Sequence, residues 1–165
     1  MAEITIGAML PGDWPTVRRI YAEGIATGNA TFETEPPAWE TWNRNHHAGC
    51  RLVARAGDEV VAWAALSPAS GRACYAGVAE HSIYVDARQR GRGIGKLLLT
   101  EFVAESEAAG FWTLQSSIFP ENQASIAIHL ACGFRVLGRR KRVAMLNGEW
   151  RDTVMVERRS AVVGG

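Results

Sequence analysis

No stretch of this chain is apolar for long enough to cross a membrane. The longest uninterrupted run, Val60 to Leu66, falls far short of the ~20 residues a spanning helix needs. Cysteine is scarce: Cys50, Cys74 and Cys132 are odd in number and far apart. They fit reduced thiols and argue against a disulfide frame or a zinc site, so no metal is expected. The opening Met1-Ala2-Glu3-Ile4 has neither a basic n-region nor a long apolar h-region, so export is not expected and the chain reads as cytoplasmic. Nor is there a surplus of one charge. Eighteen Lys and Arg against seventeen Asp and Glu leave +1, a balance that asks for neither nucleic acid nor an anionic membrane as a partner. No linker, repeat or low-complexity block divides the 165 residues, whose 47% apolar content supports one core. One domain is expected over 1–160, with 161–165 fraying.

What is present alternates between strand and helix patterning. Glu3 to Leu10 alternates as a first strand, and Asp13 is placed to cap a helix with Val17, Ile20, Tyr21 and Ile25 on one face. Thr27 to Pro37 is rich in turn formers and is stopped by Pro36 and Pro37. A second helix is expected over about Ala38 to Gly49, with Trp39 and Trp42 on one side. Arg51 to Ala56, the turn Gly57-Asp58 and Glu59 to Leu66 read as a hairpin, and Ser67 to Gly77 as a loop. Ala79 to Val85 is a strand that leads through a glycine-rich turn into a helix from about Gly93 to Ala109. That helix carries Ile94, Leu97, Leu98, Phe102 and Val103 in helical register and ends at Gly110. Strand Trp112 to Phe119, helix Asn122 to Cys132, and closing strands Phe134 to Met145 and Trp150 to Val156 complete an α+β, or mixed α/β, chain. The basic run Arg139 to Arg142 lies on a late strand without interleaved aromatics, which fits a solvated edge better than a nucleic-acid surface.

The turn Arg90-Gly91-Arg92-Gly93-Ile94-Gly95-Lys96 is the most informative segment. Glycines let backbone N–H groups approach a ligand closely, and a helix N-terminus adds partial positive charge, so the pattern suits phosphates. A P-loop needs four residues between its first glycine and Gly-Lys, then Ser or Thr; here Gly91 and Gly95 enclose three, and Leu97 follows Lys96. A dinucleotide fingerprint needs G-x-G-x-x-G, and this is G-x-G-x-G without an early βαβ unit. A plain tight turn with solvated arginines is the remaining alternative to R-x-x-G-x-G, the acyl-CoA signature.

With that signature the chain resembles the GNAT superfamily of N-acetyltransferases, closest to its phosphinothricin and methionine sulfoximine acetyltransferases. The stretches that carry the likeness are Thr31 to Pro36, Ala79 to Val85, Asn122 to Ile126 with His129, Gly133-Phe134, and Gly148 to Asp152. The resemblance implies a mostly antiparallel twisted sheet of about seven strands, splayed at its centre and flanked by about four helices. It also implies acetyl-CoA as cosubstrate, a small amine as acceptor, and a homodimer. Backbone groups of Ile83, Tyr84 and Val85 would meet pantetheine, and the amides of Arg90, Gly91, Arg92, Gly93, Ile94, Gly95 and Lys96 would cradle the pyrophosphate. Asn122, with Ser125 in the same run, would touch the cofactor; Asn122 reads equally as a plain helix N-cap.

An amine must lose a proton before it can attack an acyl group, and by resemblance Glu80 is the base. Its other reading is a carboxylate paired with an arginine. His129 stands where many relatives place a tyrosine that protonates the departing thiolate, so the resemblance implies either that it donates this proton or that, as a polar helix residue, it touches the cofactor without transferring one. His81 points to the opposite strand face. For the acceptor, Arg72 and Tyr75 resemble the arginine and tyrosine of the phosphinothricin-resistance enzymes, while Phe32 and Glu35 would wall the pocket. Ala76 and Leu146 stand where several relatives have arginine and lysine. Two other functions share the scaffold: a peptide or protein N-terminal acetyltransferase with an open groove, and an acyl-CoA sensor that needs only the turn.

Overall fold

The computed structural model describes residues 2–165. One sheet runs through the molecule: β1 (Ile4–Ala8), β2 (Leu52–Ala56), β3 (Glu59–Pro68), β4 (Val78–Val85), β5 (Thr113–Ile118), β6 (Arg135–Leu146) and β7 (Glu149–Arg159). Its seven strands lie in the order β1-β2-β3-β4-β5-β7-β6. Every neighbouring pair is antiparallel except β4 and β5, which run parallel because α3 (Ile94–Ala108) crosses over between them. This is the expected mixed α/β architecture of seven strands and four α-helices.

Period-two alternation divides the core. On β3, Ala62, Ala64 and Leu66 face a cluster with Leu98, Leu99 and Phe102 of α3. Trp63 and Ala65 face the other way, against Val17 and Ile20 of α1 (Trp14–Ala26) and Trp42 of α2 (Trp39–Asn45). A strand with protein on both faces has no polar side to show, which is why Val60 to Leu66 is the longest apolar run. Leu97 is 41% exposed and Leu99 takes its place inside α3's buried stripe.

Two expectations are corrected. Asp13 sits at the N-cap position of α1, but its side chain makes no capping hydrogen bond there. Its carboxylate accepts from the Leu10 amide at 2.7 Å and pairs with Arg55 at 2.6 Å, a tie to β2 that no local pattern announces. The Ser67–Gly77 stretch is only partly loop, since β3 continues through Pro68 and a short 3-10 turn covers Ala73–Tyr75. At the C-terminus Arg159 donates to the carbonyls of Val163 and Gly164 at 2.7 Å, and Ser160 Oγ accepts from the amides of Val162 and Val163. At the other edge, β6 is exposed along Arg135 to Arg142, and Arg139 pairs with Asp152 of β7.

Candidate active site

β4 and β5 start side by side and then part. Their pairing covers three positions: Val78 with Thr113, Ala79 with Leu114 and Glu80 with Gln115. Beyond Glu80, β4 stays on β3 until Val85 faces Ala62, and β5 stays on β7 until Ile118 faces Val154. A last contact, Ser116 Oγ donating to the His81 carbonyl at 3.4 Å, marks where the cleft opens. Ile83 and Val85 are half-buried against the α3 cluster. Tyr84 points to the opposite face, with its ring 5.0 Å from Trp63 and 4.9 Å from Tyr21.

Glu80 stands at the root of this cleft, on the α1 face with Tyr84. The residue is exposed, no ion pair engages it among the described residues, and partial desolvation of its carboxyl raises the pKa above the ordinary value. A carboxylate without a cation and with a raised pKa is a better proton acceptor than one held by an arginine.

The far end of β4 leads into a tightly built turn at a helix start. Asp86 is buried and accepts from the Arg88 amide at 2.9 Å, Arg88 Nη2 at 2.9 Å and Arg19 Nη2 at 3.0 Å. Hydrogen bonding from Arg88 above all holds its carboxyl well below the usual range. Arg88 is thereby committed to the protein, and Asp86 sets the exit from β4. Gly91 and Gly93 both adopt φ +79°, a left-handed conformation that side chains resist. α3 then begins at Ile94, and its first-turn amides have no preceding turn to accept them. Arg90 and Lys96 are exposed beside those amides, while Arg92 donates to the Gln89 side chain. At Gly95 a Cβ would lie 3.1 Å from Ile128 Cδ1 and 3.5 Å from Val85 Cγ2, so the helix start packs tightly on its neighbours. Free amides, a helix dipole and two uncommitted cations fit a pyrophosphate.

α4 (Gln123–Ala131) borders the cleft. Asn122 is its N-cap, with Oδ1 accepting from the Ser125 amide at 3.2 Å and Nδ2 donating to the Asn29 carbonyl at 3.3 Å. His129 is 1% exposed, with Nδ1 at 2.7 Å from the Ser125 carbonyl and Nε2 at 2.8 Å from His81 Nε2. A carbonyl only accepts, so Nδ1 of His129 carries the hydrogen. In the neutral pair His81 therefore donates through its Nε2–H. Burial lowers both histidine pKa values, which keeps both rings neutral at pH 7. A proton donor expected at His129 meets a buried, neutral ring whose two nitrogens are already engaged.

The profile of the Acetyltransferase (GNAT) family matches residues 14–134, a span that takes in α1, the split strands, the glycine-rich turn and α4. This chain belongs to that family. The acetyltransferase is 30% identical to a phosphinothricin N-acetyltransferase of Alcaligenes faecalis, over 93% of this chain and 81% of the relative. It is 26% identical to an L-methionine sulfoximine/L-methionine sulfone acetyltransferase of Pseudomonas aeruginosa, over 88% of each. Among solved structures, a phosphinothricin acetyltransferase from Sinorhizobium meliloti in complex with AcCoA superposes with a TM-score of 0.87 at 31% identity, covering 98% of this chain and 90% of that one. A ribosomal-protein-alanine N-acetyltransferase from Brucella melitensis superposes at 0.88 and 29%, covering 94% and 99%.

The acceptor candidates of the acetyltransferase are scattered. Phe32 packs edge-on to Phe119 with ring centres 4.9 Å apart, just past the end of β5. Glu35 is exposed and no described contact draws it toward Glu80. Arg72 and Tyr75 are both exposed, the guanidinium 5.7 Å from the ring centre. Tyr75 lines a cavity of about 480 Å³ with Thr113, Gln115, Glu157 and Arg159. Gln115 is the cross-strand neighbour of Glu80, so this cavity adjoins the base of the cleft; Arg72 touches it only through Tyr75. Asp86 and the His81 partnership escaped sequence reading. The Asp-x-Arg spacing directly after a strand was the available signal for the first.

Proposed function

We propose that this acetyltransferase moves the acetyl group of acetyl-CoA onto the amino group of a small amino-acid-like acceptor of the phosphinothricin or methionine sulfoximine class. The reading rests on one juxtaposition: the strands part directly beyond an unpaired carboxylate of raised pKa, and the cleft they leave runs toward an anion cradle. Acetyl-CoA supplies an activated thioester. The backbone edge of β4 over Ile83 to Val85 holds pantetheine, and the Arg90–Lys96 amides with Arg90 and Lys96 hold the pyrophosphate. Glu80, directly or through one water, takes the proton that the acceptor ammonium must lose. Its nitrogen lone pair then forms the C–N bond as the C–S bond breaks, and the second proton of that nitrogen passes to the departing thiolate, leaving a neutral amide and the free CoA thiol. His129 keeps α4 in place through Ser125 and His81, and supplies no proton.

The phosphinothricin and methionine sulfoximine relatives support an amino-acid-like acceptor, and Phe32 and Tyr75 lie on the Glu80 side of the cleft. A peptide N-terminus is the second reading, favoured by the likeness to the Brucella enzyme. The deciding experiment measures acetyl-CoA consumption with phosphinothricin, methionine sulfoximine, methionine sulfone and an alanine-initiated peptide. Glu80→Gln should lower kcat/KM by about 10²-fold or more, with the deficit shrinking at high pH, where the amine deprotonates unaided. The acid limb of the wild-type profile should lie above the ordinary glutamate value, because the Glu80 pKa is raised and the base works only when ionised. Wild-type turnover in Glu80→Gln at pH 7 would reduce Glu80 to a structural carboxylate.

A further inference from the structure

Arg151, near the tip of the β6–β7 hairpin, reaches across the molecule to the segment between α1 and α2. Its side chain is only 14% exposed, a costly place for a cation unless every donor is used. Nη1 donates to the Gly28 carbonyl at 2.8 Å; Nη2 donates to Asn29 Oδ1 at 2.7 Å and to Glu121 Oε2 at 3.3 Å. The guanidinium also lies 4.2 Å from the centre of the Phe119 ring. Phe119 in turn receives Phe32, and the Asn29 carbonyl accepts from Asn122. One side chain of β7 thus gathers the start of the 27–37 loop, the end of β5 and the start of α4.

The same loop touches the other arm of the split sheet. Thr31 lies beside the phenols of Tyr84 and Tyr21. Tyr84 is four residues past Glu80 on β4, and Phe119 is four past Gln115 on β5, each about 13 Å along its strand. The loop therefore bridges the cleft near the tips of both arms, on the face that carries Glu80. Its attachment at the Phe119 end depends on a fork with two separate acceptors and a π face, a geometry that lysine does not reproduce.

We propose that Arg151 is a positioning residue for the acceptor: by clamping Gly28 and Asn29 it fixes the 27–37 loop over the cleft and so sets how tightly the amine substrate is held. The inference rests on the proposed function, with the acceptor bound on the Glu80 side of the cleft, where Phe32 of this loop lies. Arg151 touches no reacting atom, so its loss should act on acceptor KM and leave the proton transfer alone. Arg151→Ala should raise the acceptor KM about tenfold or more, the scale of losing charged hydrogen bonds. The KM for acetyl-CoA and the midpoint of the acid limb should stay unchanged. Arg151→Lys should recover little of the loss, and Asn29→Ala, which removes one acceptor of the fork, should shift the same KM in the same direction by less.

Hydrogen exchange supplies a readout that needs no turnover. In Arg151→Ala and Arg151→Lys the amides of residues 28–33 should exchange faster, while those of β5 from Thr113 to Ile118 stay protected. An acetyl-CoA KM that rises as far as the acceptor KM overturns the proposal, as does unchanged loop exchange. Should the wild-type protein acetylate none of the amines, the proposed function fails by itself, and the exchange result alone decides whether the clamp exists. If Arg151→Ala does not fold, Arg151→Lys and Asn29→Ala carry the same comparison.

Discussion

The two ends of β4 are built on opposite principles. At its C-terminal end, Asp86 is buried and bound by two arginines, two glycines hold left-handed conformations, and Gly95 locks the start of α3 against Ile128 and Val85. At its N-terminal end, Arg72, Cys74 and Tyr75 are exposed on a short 3-10 turn whose side chains make a single ring contact. A site for a constant ligand gains from being formed before the ligand arrives, because ordering costs are then met in folding. A site for a variable ligand needs no such rigidity. The Asp86–Gly95 end is thus held by buried ion pairs and close packing, and the Arg72–Tyr75 end is left open to solvent.

The largest expected effect is at the cradle. Gly93→Asp sets a side chain at φ +79° and adds a negative charge where an anion is to sit, so the melting-temperature rise on adding acetyl-CoA should vanish. An undiminished rise in that variant would remove the cradle from the binding site.

Asp86→Ala tests whether the cradle end is preformed through its ion pairs. It should cost about 2–3 kcal/mol in denaturant unfolding, less than the ~3–5 of a fully enclosed pair because both arginines keep one side in water. Affinity for acetyl-CoA should fall as well, whereas Arg72→Ala should leave stability unchanged. Equal stability of Asp86→Ala and wild type would erase the contrast between the two ends.

Acid tests the centre of the strand. His81 and His129 are held neutral, with folded pKa values below their unfolded value near 6.5. The unfolded chain therefore binds more protons in that window. Stability is full above pH 6.5 and declines as pH falls below it, by up to about 1.4 kcal/mol per pH unit for each histidine. Urea titrations at pH 7 and pH 5.5 should show the loss, and the double variant His81→Phe/His129→Leu should flatten it. A slope unchanged in the double variant would place the acid sensitivity in other groups.

The smallest effect belongs to the open end. Arg72→Ala should raise the acceptor KM by a few-fold, in keeping with a solvent-facing cation worth about 0.5–1 kcal/mol, and leave the acetyl-CoA KM alone. A KM unchanged for the best acceptor would move charge recognition elsewhere.

The elements and the glycine-rich turn were legible in the sequence because their causes are local. The Gly57-Asp58 hairpin, the Gly110 stop, the Asn122 cap and the glycine spacing at 91, 93 and 95 each follow from what a few adjacent residues can do with φ, amide hydrogens and apolar periodicity. Asp13 marks the limit of that logic. It has the residue type of a cap, yet an arginine 42 positions away offers a stronger partner than a helix amide does. The meaning of Glu80 was likewise borrowed from resemblance, since nothing adjacent to it in the chain states that its neighbour on one side will diverge.

What only the tertiary structure decided are the pairings between distant residues. The β4–β5 contact stops after three positions; Asp86 finds Arg19 at a separation of 67, His81 finds His129 at 48, and Arg151 finds Gly28 at 123. Each arises because a buried charge or imidazole must be satisfied by whatever the packed core brings within hydrogen-bond reach. That condition constrains the folded molecule without leaving a periodic trace along the chain. Sequence alone determined the strands, helices and glycine-rich turn; the cleft, its unpaired carboxylate, the neutral histidine pair and the loop held by Arg151 exist only once the sheet has closed.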